Sequence, residues 1–394
     1  MAAVEFRNVD IVFGRNEKQA LALADQGATR DEILARTGAV LGASNINLAV
    51  EPGQICVLMG LSGSGKSTIL RAVNRLNRVS RGAVLVNHQG GVVDVAKCDD
   101  TTLRDIRTRT VATVFQSFAL LPWRTVRENV GFGLELRGMK RVARNHIVDE
   151  KLAMVGLSQW ADKHVGELSG GMQQRVGLAR AFATNAEILL MDEPFSALDP
   201  LIRDKLQDEL LDLQSTLKKT IVFVSHDLDE AMKLGNTIAI LEGGRIVQAG
   251  TAEDILLRPA DAYVGDFVKH VNPLNVLRGN SVMKPVGALV VESGEVVLDA
   301  SGRIRVRLDV EGRPVSVMLD GRAGRLTHCP HDSEIAAAGP TDILVAPVDL
   351  KLKAAIGLKR LTGHPVVLVD QLGRLAGLCG DEEIYNSLLR RQIV

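Results

Sequence analysis

Gly60-Leu61-Ser62-Gly63-Ser64-Gly65-Lys66-Ser67-Thr68 is the stretch that decides the fold. It satisfies G-x-x-x-x-G-K-[S/T], preceded by the apolar run Gln54 to Met59, which reads as a strand, and followed by helical spacing from about Lys66 to Leu76. A loop of that composition between strand and helix is a phosphate cradle. Its glycines let the backbone curl, its N–H groups and the positive helix end face an anion, Lys66 reaches the β and γ phosphates and the Ser67 hydroxyl ligates Mg²⁺. A Gly/Ser linker would need neither the strand before it nor the lysine at the helix start.

Working outward, Val4 to Phe13 reads as a strand and Asn16 to Thr37 as a charged, Ala-rich insertion with helical spacing. Ile46 to Val50 is a further strand. A mostly helical stretch covers roughly 117–184, and the buried-type strands Ile188 to Met191 and Thr220 to Ser225 flank a helix near Leu201 to Leu217. The alternation predicts an α/β fold, a P-loop core with a helical subdomain, over residues 1–272. Near Asn272 the chain turns to short Val-rich strands punctuated by Pro273, Gly279, Pro285 and Gly287, so a smaller α+β domain is expected over 273–394.

Composition bounds the function. In 394 residues Lys plus Arg and Asp plus Glu each total 47, a balance unlike the one-sided basic field of a nucleic-acid binder. The four cysteines, Cys56, Cys98, Cys329 and Cys379, form no CxxC pair, which argues against a metal site or a secreted disulfide framework. No apolar run approaches the ~20 residues that span a bilayer, and the N-terminus lacks the pattern of a secretion signal. A soluble cytosolic protein is expected.

Ile188-Leu189-Leu190-Met191-Asp192-Glu193-Pro194 sets two acids after a buried strand, at the end of an open sheet where ligands bind. Asp192 is read as the Mg²⁺ carboxylate and Glu193 as the general base for an attacking water. Together with the phosphate loop they make an ATP and Mg²⁺ site. Leu168-Ser169-Gly170-Gly171-Met172-Gln173-Gln174-Arg175 opens a second helix with a hydroxyl and two glycine amides, a further anion-binding surface.

That last octapeptide resembles the signature of ATP-binding-cassette (ABC) ATPases, with Met172 where Gln is more usual. The resemblance covers about residues 4 to 270 and extends in order through Gln116 after the strand Val111 to Phe115, the loop Ser196 to Asp199, and His226 after Ile221 to Ser225. It implies that Gln116 links the Mg²⁺ site to the helical arm, that His226 contacts the γ-phosphate, and that Ser169, Gly170 and Gly171 cover the ATP of a second subunit in a head-to-tail homodimer. Phe13, with Phe6 as the lesser alternative, is the aromatic expected to stack on adenine.

Phe115 to Val126 and the Asn16 to Thr37 insertion look like importers of compatible solutes: glycine betaine, proline betaine and choline. The tail, from Leu352 to Leu361 and through Pro365 to Asp381, looks like the second half of a CBS-domain pair, with Asp381 like its ribose-contacting acid; the first half, about Val282 to Arg325, is degenerate and resembles the pattern mainly at Val282-Met283-Lys284-Pro285 and in its short strands. The resemblance implies an ATPase on the cytoplasmic face of the membrane, working with membrane permease subunits and a separate solute-binding protein, and with no nucleic acid. A polyamine, proline or methionine importer is the nearest alternative. A non-transport ABC ATPase would carry two cassettes or a long coiled coil, which this chain lacks, and a purely regulatory nucleotide binder would not need Glu193.

Overall fold

The computed structural model describes the whole chain except residues 197, 293–294, 300, 330–338 and 390–394. Ala197, within the expected Ser196 to Asp199 loop, and Arg390, the expected end of the last helix, lie outside the described residues. Two compact units divide between Ala252 and Glu253.

The first unit runs β1 (Val4–Phe13), α1 (Glu17–Asp25), α2 (Arg30–Thr37), β2 (Val40–Val50), β3 (Ile55–Met59), α3 (Lys66–Ala72), β4 (Arg81–His88), β5 (Gly91–Asp94), α4 (Asp100–Asp105), β6 (Val111–Val114), α5 (Val126–Leu136), α6 (Arg141–Met154), α7 (Gly170–Ala183), β7 (Ile188–Asp192), α8 (Pro200–Leu217), β8 (Thr220–Val224), α9 (Leu228–Leu234), β9 (Thr237–Glu242) and β10 (Arg245–Gly250). Strands β10-β9-β3-β8-β7-β6 form one sheet, parallel except at β10, and β2-β1-β4-β5 an antiparallel one. Strands β3, β7 and β8 are buried along their whole length, as apolar runs in a sheet covered on both faces must be. The main core joins both sheets through Phe6, Ile11, Leu58, Ile69, Leu190 and Val222.

The helical subdomain has a core of its own, with Val130, Leu134, Val148, Leu152 and Val176 from α5, α6 and α7. Thr125 opens α5 with a capping box: its hydroxyl accepts from Glu128 N and the Glu128 carboxylate accepts from Thr125 N. The insertion is a helix pair whose Ala20, Leu23 and Ile33 pack on Val12, Ala39 and Leu41. Helix α3 is shorter than its spacing predicts, ending at Ala72 because Arg75 takes a left-handed conformation, φ +54°.

The second unit begins ahead of the composition change at Asn272. Leu256 and Leu257 of α10 (Ala252–Leu257) pack with Leu352, Leu358 and Leu368, so burial, rather than Pro/Gly content, sets this boundary. The chain continues through α11 (Ala262–Val268), α12 (Pro273–Val276), α13 (Gly279–Val282), β11 (Lys284–Pro285), β12 (Val290–Glu292), β13 (Glu295–Val297), β14 (Ile304–Leu308), β15 (Pro314–Leu319), β16 (Arg322–Ala323), β17 (Arg325–His328), β18 (Asp342–Pro347), α14 (Leu352–Thr362), β19 (Val366–Val369), β20 (Leu375–Cys379) and α15 (Asp381–Leu389). The helix, two strands and helix from Leu352 onward match the expected tail unit. Its proposed twin does not: β12 to β16 form an antiparallel meander, and the alternating Ile304 to Leu308 and Pro314 to Leu319 explain why, since period-two patterning cannot bury a helix face. Lys284-Pro285 joins the unit's other sheet, pairing with β20, as does Arg325 at the start of β17, pairing with Asp342 of β18. Asp381 faces Lys359, whose Nζ lies 2.8 Å from its carboxylate. Among the described residues, no helix is long and apolar enough to cross a membrane.

Candidate functional site

Sheet register assembles the site. Leu58 and Asp192 both pair with Val224 across the parallel ladder, and Val114 pairs with Met191. Four chain segments therefore leave the sheet at one edge: the phosphate loop after β3, Gln116 after β6, Glu193 after β7 and His226 after β8. This is the carboxyl-end crevice at which open α/β sheets bind ligands.

The phosphate loop is shaped by glycines that nothing larger can replace. A Cβ on Gly60, φ +143°, would stand 2.2 Å from the Leu241 carbonyl oxygen, and one on Gly65, φ +102°, 2.5 Å from that of Gly42. Helix α3 starts without a side-chain cap, leaving its first-turn N–H groups for an anion. Lys66 Nζ donates to the carbonyls of Gly60 at 2.8 Å and Leu61 at 2.9 Å, using two of its three donors. Burial pushes its ammonium below the ordinary lysine value, opposed by the charges of Glu193 and Asp192. The buried Ser64 hydroxyl has no hydrogen-bond partner within the described residues.

Asp192 is 1% exposed and accepts from Ser67 Oγ at 2.7 Å and from Arg71 at 2.9 Å. The acid and the hydroxyl thus supply adjacent oxygens of the hard type Mg²⁺ takes. No group of three or more His, Cys, Asp or Glu suited to a metal occurs among the described residues.

Glu193 stands at φ +48°, its N–H bonded to the Val224 carbonyl at 3.1 Å. A non-glycine residue held there costs of order 1–3 kcal/mol, strain that concentrates at functional sites. Its Oε2 accepts from Gln116 Nε2 at 3.0 Å, and His226 Nδ1 lies 3.3 Å from the same oxygen. Gln116 spends its amide nitrogen on this bond, leaving the amide oxygen for a metal.

Phe13, 42% exposed at the end of β1, lies against Gly42 and Thr68: a Cβ on Gly42 would come within 2.6 Å of its ring and 3.0 Å of the Thr68 methyl. Phe6 is 1% exposed in the core and is removed as an adenine platform. The exposed Ser169 caps α7, its Oγ accepting from Met172 N at 3.4 Å, while the Met172 side chain packs on the helical subdomain core. No hydrogen bond among the described residues joins the 168–175 segment to the phosphate loop.

Two arginines were missed in the sequence. Arg71 follows Ser67 by one helical turn, so both face β7, a spacing that could have revealed it. Arg203 of α8 donates to Asp227 at 3.2 Å and to the Leu198 carbonyl at 3.2 Å, tying the loop after Glu193 to that after His226; a contact across two loops leaves no local pattern.

Residues 43–196 match the protein family described as ABC transporter. The chain is 48% identical to the glycine betaine/proline betaine transport system ATP-binding protein ProV of Escherichia coli (strain K12), over 71% of this chain and 69% of that one. It is 37% identical to the glycine betaine transport ATP-binding protein OpuAA of Bacillus subtilis (strain 168), over 98% and 94%. Among solved structures, the dimeric bacterial ABC transporter cassette MJ0796 superposes with a TM-score of 0.55 at 30% identity, covering 63% of this chain and 98% of that one. MJ0796 is also known in a post-hydrolysis state bound to ADP and Pi, similar at a TM-score of 0.54. The chain belongs to the ABC transporter family, as one of its ATP-binding, ATP-hydrolysing subunits.

Proposed function

We propose that this chain powers the import of a quaternary amine, choline, glycine betaine or a related compatible solute, as a homodimer beneath two permease subunits supplied by a separate solute-binding protein. The observation that carries the ATPase part is the convergence of Gln116 and His226 on one carboxylate oxygen of Glu193, beside the Ser67 and Asp192 pair. Lys66 and the loop amides hold the polyphosphate. Ser67, Asp192 and Gln116 are the residues for Mg²⁺, which when bound would neutralise charge on the phosphate oxygens. Glu193 takes the proton of the attacking water, and Gln116 and His226 keep its carboxylate aimed. Ser169, Gly170 and Gly171 of one copy close over the phosphates held by the other, and Phe13 supports the base.

The segment Gln116 to Arg127 is the proposed permease contact, and its Trp123, 71% exposed, is an apolar side chain suited to burial there. The solute class rests on the glycine betaine systems named among the relatives. The second unit is proposed as a CBS-like regulatory or dimer-stabilising domain built on one helix, two strands and helix motif in place of two. The assembled transporter in vesicles tests the whole: ATP inside should drive uptake of labelled choline or glycine betaine. Uptake of proline, a polyamine or methionine without either amine would refute the solute assignment, and co-purification with ribosomes or DNA in place of a permease would refute the transport role.

A further inference from the structure

Helices α1 and α2 take no part in the chemistry above, yet the second touches the phosphate loop. Arg30 opens α2, and its Nη1 donates to the carbonyl oxygen of Gly63 at 2.7 Å. Its position is fixed by its surroundings. A capping box holds the helix start, with the Thr29 hydroxyl accepting from Glu32 N at 3.3 Å and the Glu32 carboxylate accepting from Thr29 N at 2.7 Å. Ile33 is fully buried, Asn16 donates to the Thr37 carbonyl at 2.6 Å, and Arg81 grips Asp25 at 2.7 and 2.8 Å. The helix pair is thus a fixed mount that carries a cation to the loop.

A phosphate loop works only while its carbonyls point away from the anion and its N–H groups toward it. Here the Gly60 and Leu61 carbonyls are held by Lys66, that of Leu61 also by Ser64 N at 3.1 Å, and that of Ser64 by Gly244 N at 3.0 Å. Gly63 is a corner that no neighbouring atom packs against: φ is +78°, and open space surrounds the place a Cβ would take. Arg30 supplies the restraint on its carbonyl.

We propose that Arg30 is a positioning residue of the nucleotide site, holding the Gly63 peptide so that the loop is in its anion-binding shape before the nucleotide arrives. The inference rests on the phosphate loop being the ATP site. Ordering a loop in advance raises affinity for whatever the loop binds. Because Arg30 acts on the loop and not on a particular phosphate, ATP and ADP should be affected alike.

Calorimetric titration of ATP and ADP into the full chain, with steady-state ATPase kinetics, tests this on the wild type, Arg30→Met, Arg30→Lys and Lys66→Ala. Arg30→Met should weaken both nucleotides by the same factor, roughly three- to ten-fold for one partly exposed charged hydrogen bond. KM for ATP should rise by that factor with kcat within about twofold, the pattern of lost uniform binding, and the melting temperature should be unchanged. Arg30→Lys should restore most of the loss, since it keeps a cationic donor. A loss confined to ATP, a fall in kcat at constant KM, or unchanged affinity in Arg30→Met would each overturn the assignment. Lys66→Ala separates the two levels: if it binds ATP as the wild type does, the phosphate-loop reading itself fails, whereas its loss of binding beside a normal Arg30→Met sinks the present inference alone.

Discussion

Replacing Glu193 with Gln isolates the proposed proton acceptor from everything else at the site. The side chains have nearly the same volume, the backbone stays at φ +48° with its N–H on the Val224 carbonyl, and the amide oxygen can still accept from Gln116 Nε2, now 3.0 Å away. What disappears is basicity. A positioned general base contributes typically ~10²- to 10⁴-fold, so the barrier should rise by about 2.7 to 5.4 kcal/mol. Binding should survive or tighten, because one negative charge leaves the neighbourhood of the phosphates while Lys66 and the loop are untouched. Phosphate release at saturating ATP, ATP titration and size-exclusion chromatography together read the outcome: binding retained, turnover lost, dimers accumulating with ATP. Release within tenfold of wild type would show that Glu193 is not the base.

Three further outcomes are expected. Mixing Lys66→Ala with Ser169→Arg places both lesions at one composite site of the heterodimer and leaves the other intact, so ATPase activity should reappear on mixing; none, with mixed dimers shown to form, would argue against a head-to-tail pair. A chain stopped after Ala252 keeps every motif residue and should hydrolyse ATP nearly as the full chain does at saturating nucleotide, while a stop at Asn272 strands Leu256 and Leu257 without their core and should aggregate; an inactive but folded 1–252 would refute this. Arg325, bonded to Asp342 at 2.6 and 3.0 Å, and the Gly339 N–H hold that carboxyl at about 2, below the ordinary ~3.9, so their stabilisation is complete above about pH 4 and lost as pH falls toward 2. Arg325→Met should therefore unfold at lower temperature near neutrality, with the deficit narrowing below pH 4; a deficit constant with pH would contradict the sign.

The phosphate loop, the acidic pair and the signature segment were legible because each packs its chemistry into fewer than ten consecutive residues, with strand or helix periodicity on either side. The same locality made β1 readable to the residue, Val4–Phe13, and the last helix, two strands and helix recognisable from their turn at Gly373. Where the local signal was mixed, expectation and structure parted. Val282 to Arg325 carried the expected motif mainly at Val282 to Pro285 and strand alternation elsewhere, and the alternation won, since it is what decides which face can be buried.

Sequence alone determined which segments make the candidate site: a glycine-rich loop ending in Lys66, an acidic pair after a buried strand and the Ser169-Gly170-Gly171 helix start, in an order one family shares. It could not determine their meeting. Gln116, Glu193 and His226 are far apart along the chain and converge because β6, β7 and β8 are parallel neighbours in register, a relation set by sheet pairing and not by any residue's own preference. Arg203 and Arg30 became visible only in three dimensions for the same reason. A guanidinium at the end of a long side chain reaches a carboxylate or carbonyl on another element, and packing of the whole domain, not sequence spacing, decides which one lies within hydrogen-bonding reach.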